Sequence, residues 1–82
     1  LSLMKTGQAR IIFFGYLIDL VKEREVVLEI TEPTKVKDVL SRSLSVSQGL
    51  DVVVLINDYP ATIDSYVKPG DTVKILPHIG GG

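Results

Sequence analysis

Residues 67–82 read Val67-Lys68-Pro69-Gly70-Asp71-Thr72-Val73-Lys74-Ile75-Leu76-Pro77-His78-Ile79-Gly80-Gly81-Gly82. Pro69-Gly70 suits a type II turn, with proline at the second position and glycine at the third. Asp71 to Leu76 reads as a strand, and Pro77 ends it. Three glycines close the chain. A glycine run has no side chain to pack and loses much entropy on ordering, so it contributes little to a fold. It offers instead a thin strip ending in a carboxylate, able to enter a channel too narrow for any Cβ. Residues 78–82 are therefore expected to be a flexible tail, and the domain is expected to span 8–77.

The remaining elements follow outward from that last strand. Residues 8–14 are rich in β-formers and read as the first strand. Gly15 breaks it. Tyr16 to Lys22 reads as a short helix, with Leu17, Leu20 and Val21 at helical spacing. Lys22 to Glu25 is a charged turn, and Val26 to Ile30 a second strand antiparallel to the first. Pro33 pushes Glu32 out of the helical region, and Thr34 can cap the helix that follows. Val36, Val39, Leu40 and Leu44 form the apolar stripe of that helix, while Lys37, Asp38, Ser41 and Arg42 face water. Residues 45–49 read as a loop. Val52 to Ile56 does not alternate, which marks a central strand, covered on both faces or paired on both edges. Asn57-Asp58 is a tight turn, and Tyr59 to Ile63 an edge segment. With the first and last strands adjacent and parallel, and the main helix as the crossover that parallel pairing needs, the expected fold class is α+β. It is a ubiquitin-like β-grasp, a mixed sheet with one main helix packed across it.

Composition narrows the function. The chain has 82 residues and no cysteine, with 9 Lys plus Arg against 10 Asp plus Glu. A domain of this size buries only about 60% of the surface its unfolded chain exposes. The absence of cysteine removes disulfides, thiol catalysis and zinc–thiolate sites, and fits a reducing compartment. No basic stripe of the kind that binds phosphates is present, so no nucleic-acid partner is expected. The longest apolar run, 52–56, is far shorter than a membrane span, so no membrane partner is expected either. Leu1 to Met4 is too short for the apolar core of a signal peptide. Residues 1–7 are expected to be a disordered N-terminal extension, and the protein to be cytoplasmic.

Strand parity separates two faces. Ala9, Ile11 and Phe13, with Val73 and Ile75, suit the core beneath the helix. Opposite them lie Gln8, Arg10, Thr72 and Lys74 at one end, and Ile12, Phe14 and Leu76 at the other, beside the tail. An exposed apolar patch on a small domain marks a docking site unless its own loops cover it. Ile12, Phe14, Leu76 and the stem of the tail, Pro77-His78-Ile79-Gly80, are the expected partner-binding residues. His78 is the only histidine. It could orient a phosphate or a partner carboxylate. With no carboxylate or second ligand near it in sequence, it reads more simply as an exposed linker residue. Asp64, Asp71 and Glu32 adjoin turns and read as solvated turn residues. No metal site is expected.

The order of these segments resembles a known family. Ile11-Ile12-Phe13-Phe14-Gly15-Tyr16-Leu17-Ile18-Asp19-Leu20-Val21 resembles the opening of the small subunit of molybdopterin synthase. Lys35-Val36-Lys37-Asp38-Val39-Leu40 is similar to the start of that family's main helix, and Val54-Leu55-Ile56-Asn57 to its central strand. Val67 to Val73, then Leu76-Pro77 and the glycines, resemble its ending. The chain departs from the family at His78, where a second proline is common, and in carrying a third glycine. The thiamine-pathway sulfur carrier is a near relative that is usually shorter and lacks the double-aromatic opening.

The resemblance implies a sulfur carrier of molybdenum cofactor biosynthesis with no catalytic side chains of its own and no bound cofactor. It implies that an E1-like enzyme adenylates the carboxylate of Gly82 with ATP and that a sulfur donor converts it to a thiocarboxylate. Gly81 then threads with Gly82 into the large subunit, which catalyses sulfur transfer to a pterin precursor. Two competitors stand beside it. One is a ubiquitin-like modifier joined to lysines through the same glycine. The other is an interaction module whose tail has no role.

Overall fold

The computed structural model describes residues 7–43 and 51–78. Leu44, the expected loop at 45–49, most of the expected N-terminal extension and the tail from Ile79 lie outside the described residues. In chain order the elements are β1 (Gln8–Phe13), α1 (Leu17–Val21), β2 (Glu25–Glu29), β3 (Thr34–Lys35), α2 (Val36–Ser43), β4 (Val52–Ile56), β5 (Tyr59–Ala61), β6 (Tyr66–Val67) and β7 (Thr72–Pro77). Five strands form one mixed sheet in the order β2-β1-β7-β4-β5, and β3 and β6 form a second, two-stranded sheet. This is the ubiquitin-like β-grasp architecture.

The central pair is β1 and β7, parallel, with Ile11 opposite Val73 and Phe13 opposite Ile75. Parity along both strands is as the alternation requires. Ala9, Ile11, Phe13, Val73 and Ile75 are fully buried, and Val36, Val39 and Leu40 of α2 share their core. β4 pairs with β7 on one side and β5 on the other. Its unbroken apolar run therefore reflects pairing on both edges and not two covered faces, because Val54 is buried while Val53 is 40% exposed.

Left-handed backbone shapes the turns that lead into β5 and β7. Asn57 and Asp58 have φ of 52° and 69°, the pattern of a two-residue hairpin whose twist matches its strands. Gly70 has φ of 94°, and Asp71 N–H donates to the Lys68 carbonyl at 3.0 Å, which makes 68–71 the expected type II turn.

The structure corrects three local expectations. Thr34 does not cap α2. It pairs with Val67 in β3, and its Oγ1 donates to the Glu32 carbonyl at 2.9 Å. The first amides of α2 are satisfied from across the fold. Val36 N–H donates to the Ser65 carbonyl and Lys37 N–H to the Ile63 carbonyl, both at 2.9 Å. Main-chain acceptors thus replace the side-chain cap that a helix start otherwise needs. In α1 the stripe is Leu17, Ile18 and Val21, while Leu20 is 52% exposed. At 3.6 residues per turn Leu20 points about a third of a turn away from that face.

The third correction concerns Asp71. It is 7% exposed and is not a solvated turn residue. Its Oδ1 accepts from Asn57 Nδ2 at 2.9 Å and its Oδ2 from Lys68 N–H at 2.8 Å, while Asn57 Oδ1 accepts from Thr72 N–H at 3.0 Å. Buried carboxylates need such partners, and this one ties the β4–β5 hairpin to the turn before β7.

Candidate functional site

Among the described residues, the surface with the most to offer chemically is the end of β7, where the tail begins. The strand is held up to its last residue, because Pro77 pairs with Val52 of β4. The same register carried one step further puts Asp51 opposite His78. His78 N–H donates to the Asp51 carbonyl at 3.1 Å, and His78 Nδ1 lies 2.8 Å from Asp51 Oδ2. This corrects the reading of His78 as a linker residue without a carboxylate. The partner is 27 positions away in sequence and close only through strand pairing. Both side chains are more than half exposed, at 51% and 78%.

Gly15 holds the other side of Pro77. It has φ of 62°, and a Cβ there would lie 2.9 Å from Pro77 Cγ and 3.4 Å from Cδ. No real Cβ fits so close without displacing the ring. A side chain would also meet the strain of left-handed backbone. The glycine that ends β1 thus lets the proline ring seat beside it. Pro77 is half-buried, and the tail starts from a fixed point. Ile79, Gly80, Gly81 and Gly82 lie outside the described residues.

Beside this point the outer face of the sheet is apolar. Phe14 N–H donates to the Ile75 carbonyl at 3.0 Å, which continues the β1–β7 register by one residue and sets Phe14 alongside Leu76. Leu76 in turn pairs with Val53. The next row across the sheet is Ile12, Lys74, Leu55 and Pro60. Phe14 is 37% exposed, and Ile12 and Leu76 are half-buried. Lys74 sits within the patch, its Nζ 2.7 Å from Asp58 Oδ1. Farther from the tail the face turns polar at Arg10, whose Nε lies 3.0 Å from Glu25 Oε2 in an ion pair that falls short of hydrogen-bond geometry.

Strand parity identified Ile12, Phe14 and Leu76 but missed Val53 and Leu55. Their signal was the period-2 position of Val53 and Leu55 within 52–56, masked by a run in which every residue is apolar.

This arrangement offers a docking face and an anchored terminus. A model of the ThiS family matches residues 11–82. No curated protein matches the sequence. Several solved structures share the fold. The putative molybdopterin converting factor subunit 1 from Pyrococcus furiosus is 19% identical, with a TM-score of 0.72, covering 85% of this chain and 95% of that one. SAMP1 from Haloferax volcanii is 19% identical, with a TM-score of 0.73, covering 93% and 100%. A complex of subunits 1 and 2 of the molybdopterin-converting factor from Helicobacter pylori contains a chain 21% identical, with a TM-score of 0.57, covering 92% and 99%. At these identities the structures speak for the fold, whereas the family match runs from the first strand through the last glycine; the chain belongs to the ThiS family and has its ubiquitin-like sulfur-carrier fold.

Proposed function

We propose that this chain is the sulfur-carrying small subunit of a molybdopterin synthase, working in the cytoplasm. The observation that supports it most is the family match extending through the glycine tail, on a chain whose tail root is held by Val52, Gly15 and Asp51. A carboxylate is a poor electrophile until one oxygen becomes a leaving group. In the proposed reaction an E1-like enzyme joins the Gly82 carboxylate to the α-phosphate of ATP, and pyrophosphate leaves. Sulfide-level sulfur from the donor then attacks the acyl carbon, AMP leaves, and a thiocarboxylate remains; a persulfide donor gives an acyl disulfide first, whose S–S bond a thiol then reduces, with the donor leaving as the mixed disulfide. The tail enters the large subunit, where catalytic groups of that partner transfer the sulfur to a pterin precursor. The structure from Helicobacter pylori, in which subunit 1 is complexed with subunit 2, supports a partner of this kind.

Incubation with an activating enzyme, ATP and a sulfur donor is expected to make the protein about 16 Da heavier by intact mass spectrometry, the oxygen-to-sulfur exchange of an activated acyl carrier. The likeness to SAMP1, the small archaeal modifier protein 1 of Haloferax volcanii and Methanosarcina acetivorans, favours a second reading, conjugation to lysines through Gly82. Isopeptide-linked products in place of the heavier species would decide for that reading.

In the proposed complex the face of Ile12, Phe14 and Leu76, with the stem Pro77, His78, Ile79 and Gly80, meets the large subunit. Large apolar side chains at the centre of an interface commonly cost about 2 kcal/mol or more when truncated. Phe14→Ala is therefore expected to weaken binding by that amount in a calorimetric titration, with only a small change in melting temperature. Equal losses of affinity and of stability would make this face part of the folding core instead.

A further inference from the structure

The two edges of the main sheet are built differently. β5, at one edge, is three residues long and carries Pro60 at its centre. A proline and a short length are common ways of blunting a strand edge. β2, at the other edge, is five residues long and has no proline. Its hydrogen-bonding pattern can be read from its ends. Phe13 N–H donates to the Arg24 carbonyl and Ile30 N–H donates to the Gly7 carbonyl. In an antiparallel pair the bonded positions alternate, so Val26 and Leu28 also bond to β1. The amides and carbonyls of Glu25, Val27 and Glu29 then point away from the sheet. One of those groups is taken, because Arg42 Nη1 of α2 donates to the Glu29 carbonyl at 3.1 Å. Among the described residues no other partner is present for this row. An unpaired row of this kind is a template for another strand.

The side chains say which strand. Glu25, Val27 and Glu29 share the outer face, and all three are exposed. A second copy of β2 is a poor partner. Two-fold antiparallel pairing centred on Val27 sets Glu25 of each copy against Glu29 of the other, and like charges directly opposite are destabilising. Glu25 already has Arg10 beside it, whereas the Glu29 carboxylate has no ion-pair partner among the described residues. We infer that β2 is a docking edge for an extended segment of another protein. That segment would carry a β-branched or other apolar residue opposite Val27 and a lysine or arginine opposite Glu29. Main-chain bonds to Val27 would supply affinity, and the Glu29 carboxylate would supply selection, as in strand addition generally. β1 separates this edge from β7, and the inference does not rest on the sulfur-carrier reading.

The test uses the full chain, labelled with nitrogen-15, and two capped peptides, Thr-Lys-Thr-Val-Thr-Lys-Thr and its glutamate counterpart Thr-Glu-Thr-Val-Thr-Glu-Thr. The lysine peptide is expected to slow hydrogen exchange at the Val27 and Glu29 amides and to bind more tightly than the glutamate peptide. Val27→Pro removes one outward amide without touching a bond to β1. It is expected to leave the fold intact and weaken binding about tenfold, the effect of roughly one lost main-chain hydrogen bond. Glu29→Lys, which does not alter the backbone, is expected to reverse the preference between the peptides and serves if Val27→Pro does not fold. Protection confined to other strands would overturn the inference. So would equal binding of both peptides to the unmodified chain, unchanged binding by folded Val27→Pro, or self-association through β2.

Discussion

Gly81→Val is expected to abolish sulfur transfer while leaving the melting temperature unchanged. Gly81 follows Pro77, the last residue of β7, in the chain, and a glycine has no side chain whose packing a substitution could remove. The proposed channel in the partner has to admit the chain end without any Cβ, and valine adds a branched one. Thermal denaturation and a sulfur-transfer assay on the same preparation check both halves. Normal transfer by the folded variant would remove the glycine tail from the mechanism. Unfolding would show instead that the tail belongs to the fold. Because only the first outcome bears on threading, the two measurements have to be made together.

Leu40→Ala is expected to carry the larger thermodynamic effect. Leu40 is 4% exposed on the buried face of α2, with Val36 and Val39 beside it and Ile11, Phe13 and Ile75 in the same core. Truncating a buried leucine costs about 2–5 kcal/mol, the lost transfer free energy plus the cavity it leaves. The stability of a small domain starts at about 5 kcal/mol in total, so chemical denaturation is expected to find the variant close to unfolding at room temperature. α2 is eight residues long, and a helix that short is held by its packed face far more than by its own propensity. A cost below about 1 kcal/mol would mean that the helix sits on the sheet in another register.

Much of the fold was open to reading because its signals are short-ranged. Alternation at Ala9, Ile11 and Phe13 placed those side chains inward, as did Val73 and Ile75 on the neighbouring strand. Pro69-Gly70 named its turn, since only glycine takes φ of 94° without strain. The candidate site was legible in part. Ile12, Phe14 and Leu76 came from parity alone, and the glycines from composition. His78 is exposed as its sequence context suggests, but its carboxylate partner is not legible there, because Asp51 lies 27 residues earlier. Thr34 was misread because the carbonyls that serve α2 come from Ser65 and Ile63.

Local chemistry along the chain thus sets the inventory of this protein: which segments are strands, which face of each is apolar, where the chain must turn, and that residues 80–82 carry no side chains. These follow from steric limits and periodicities that operate within a few residues. The contacts made across the sheet come from the assembled fold instead: the Pro77 ring against Gly15, Asp51 beside His78, Asp71 bonded to Asn57, Val53 joining Leu76 on the open face. Each depends on the register between strands far apart in the chain. A shift of one residue in that register would turn every such side chain to the opposite face. The burial of a whole core selects the register, and no local segment carries enough free energy to do so.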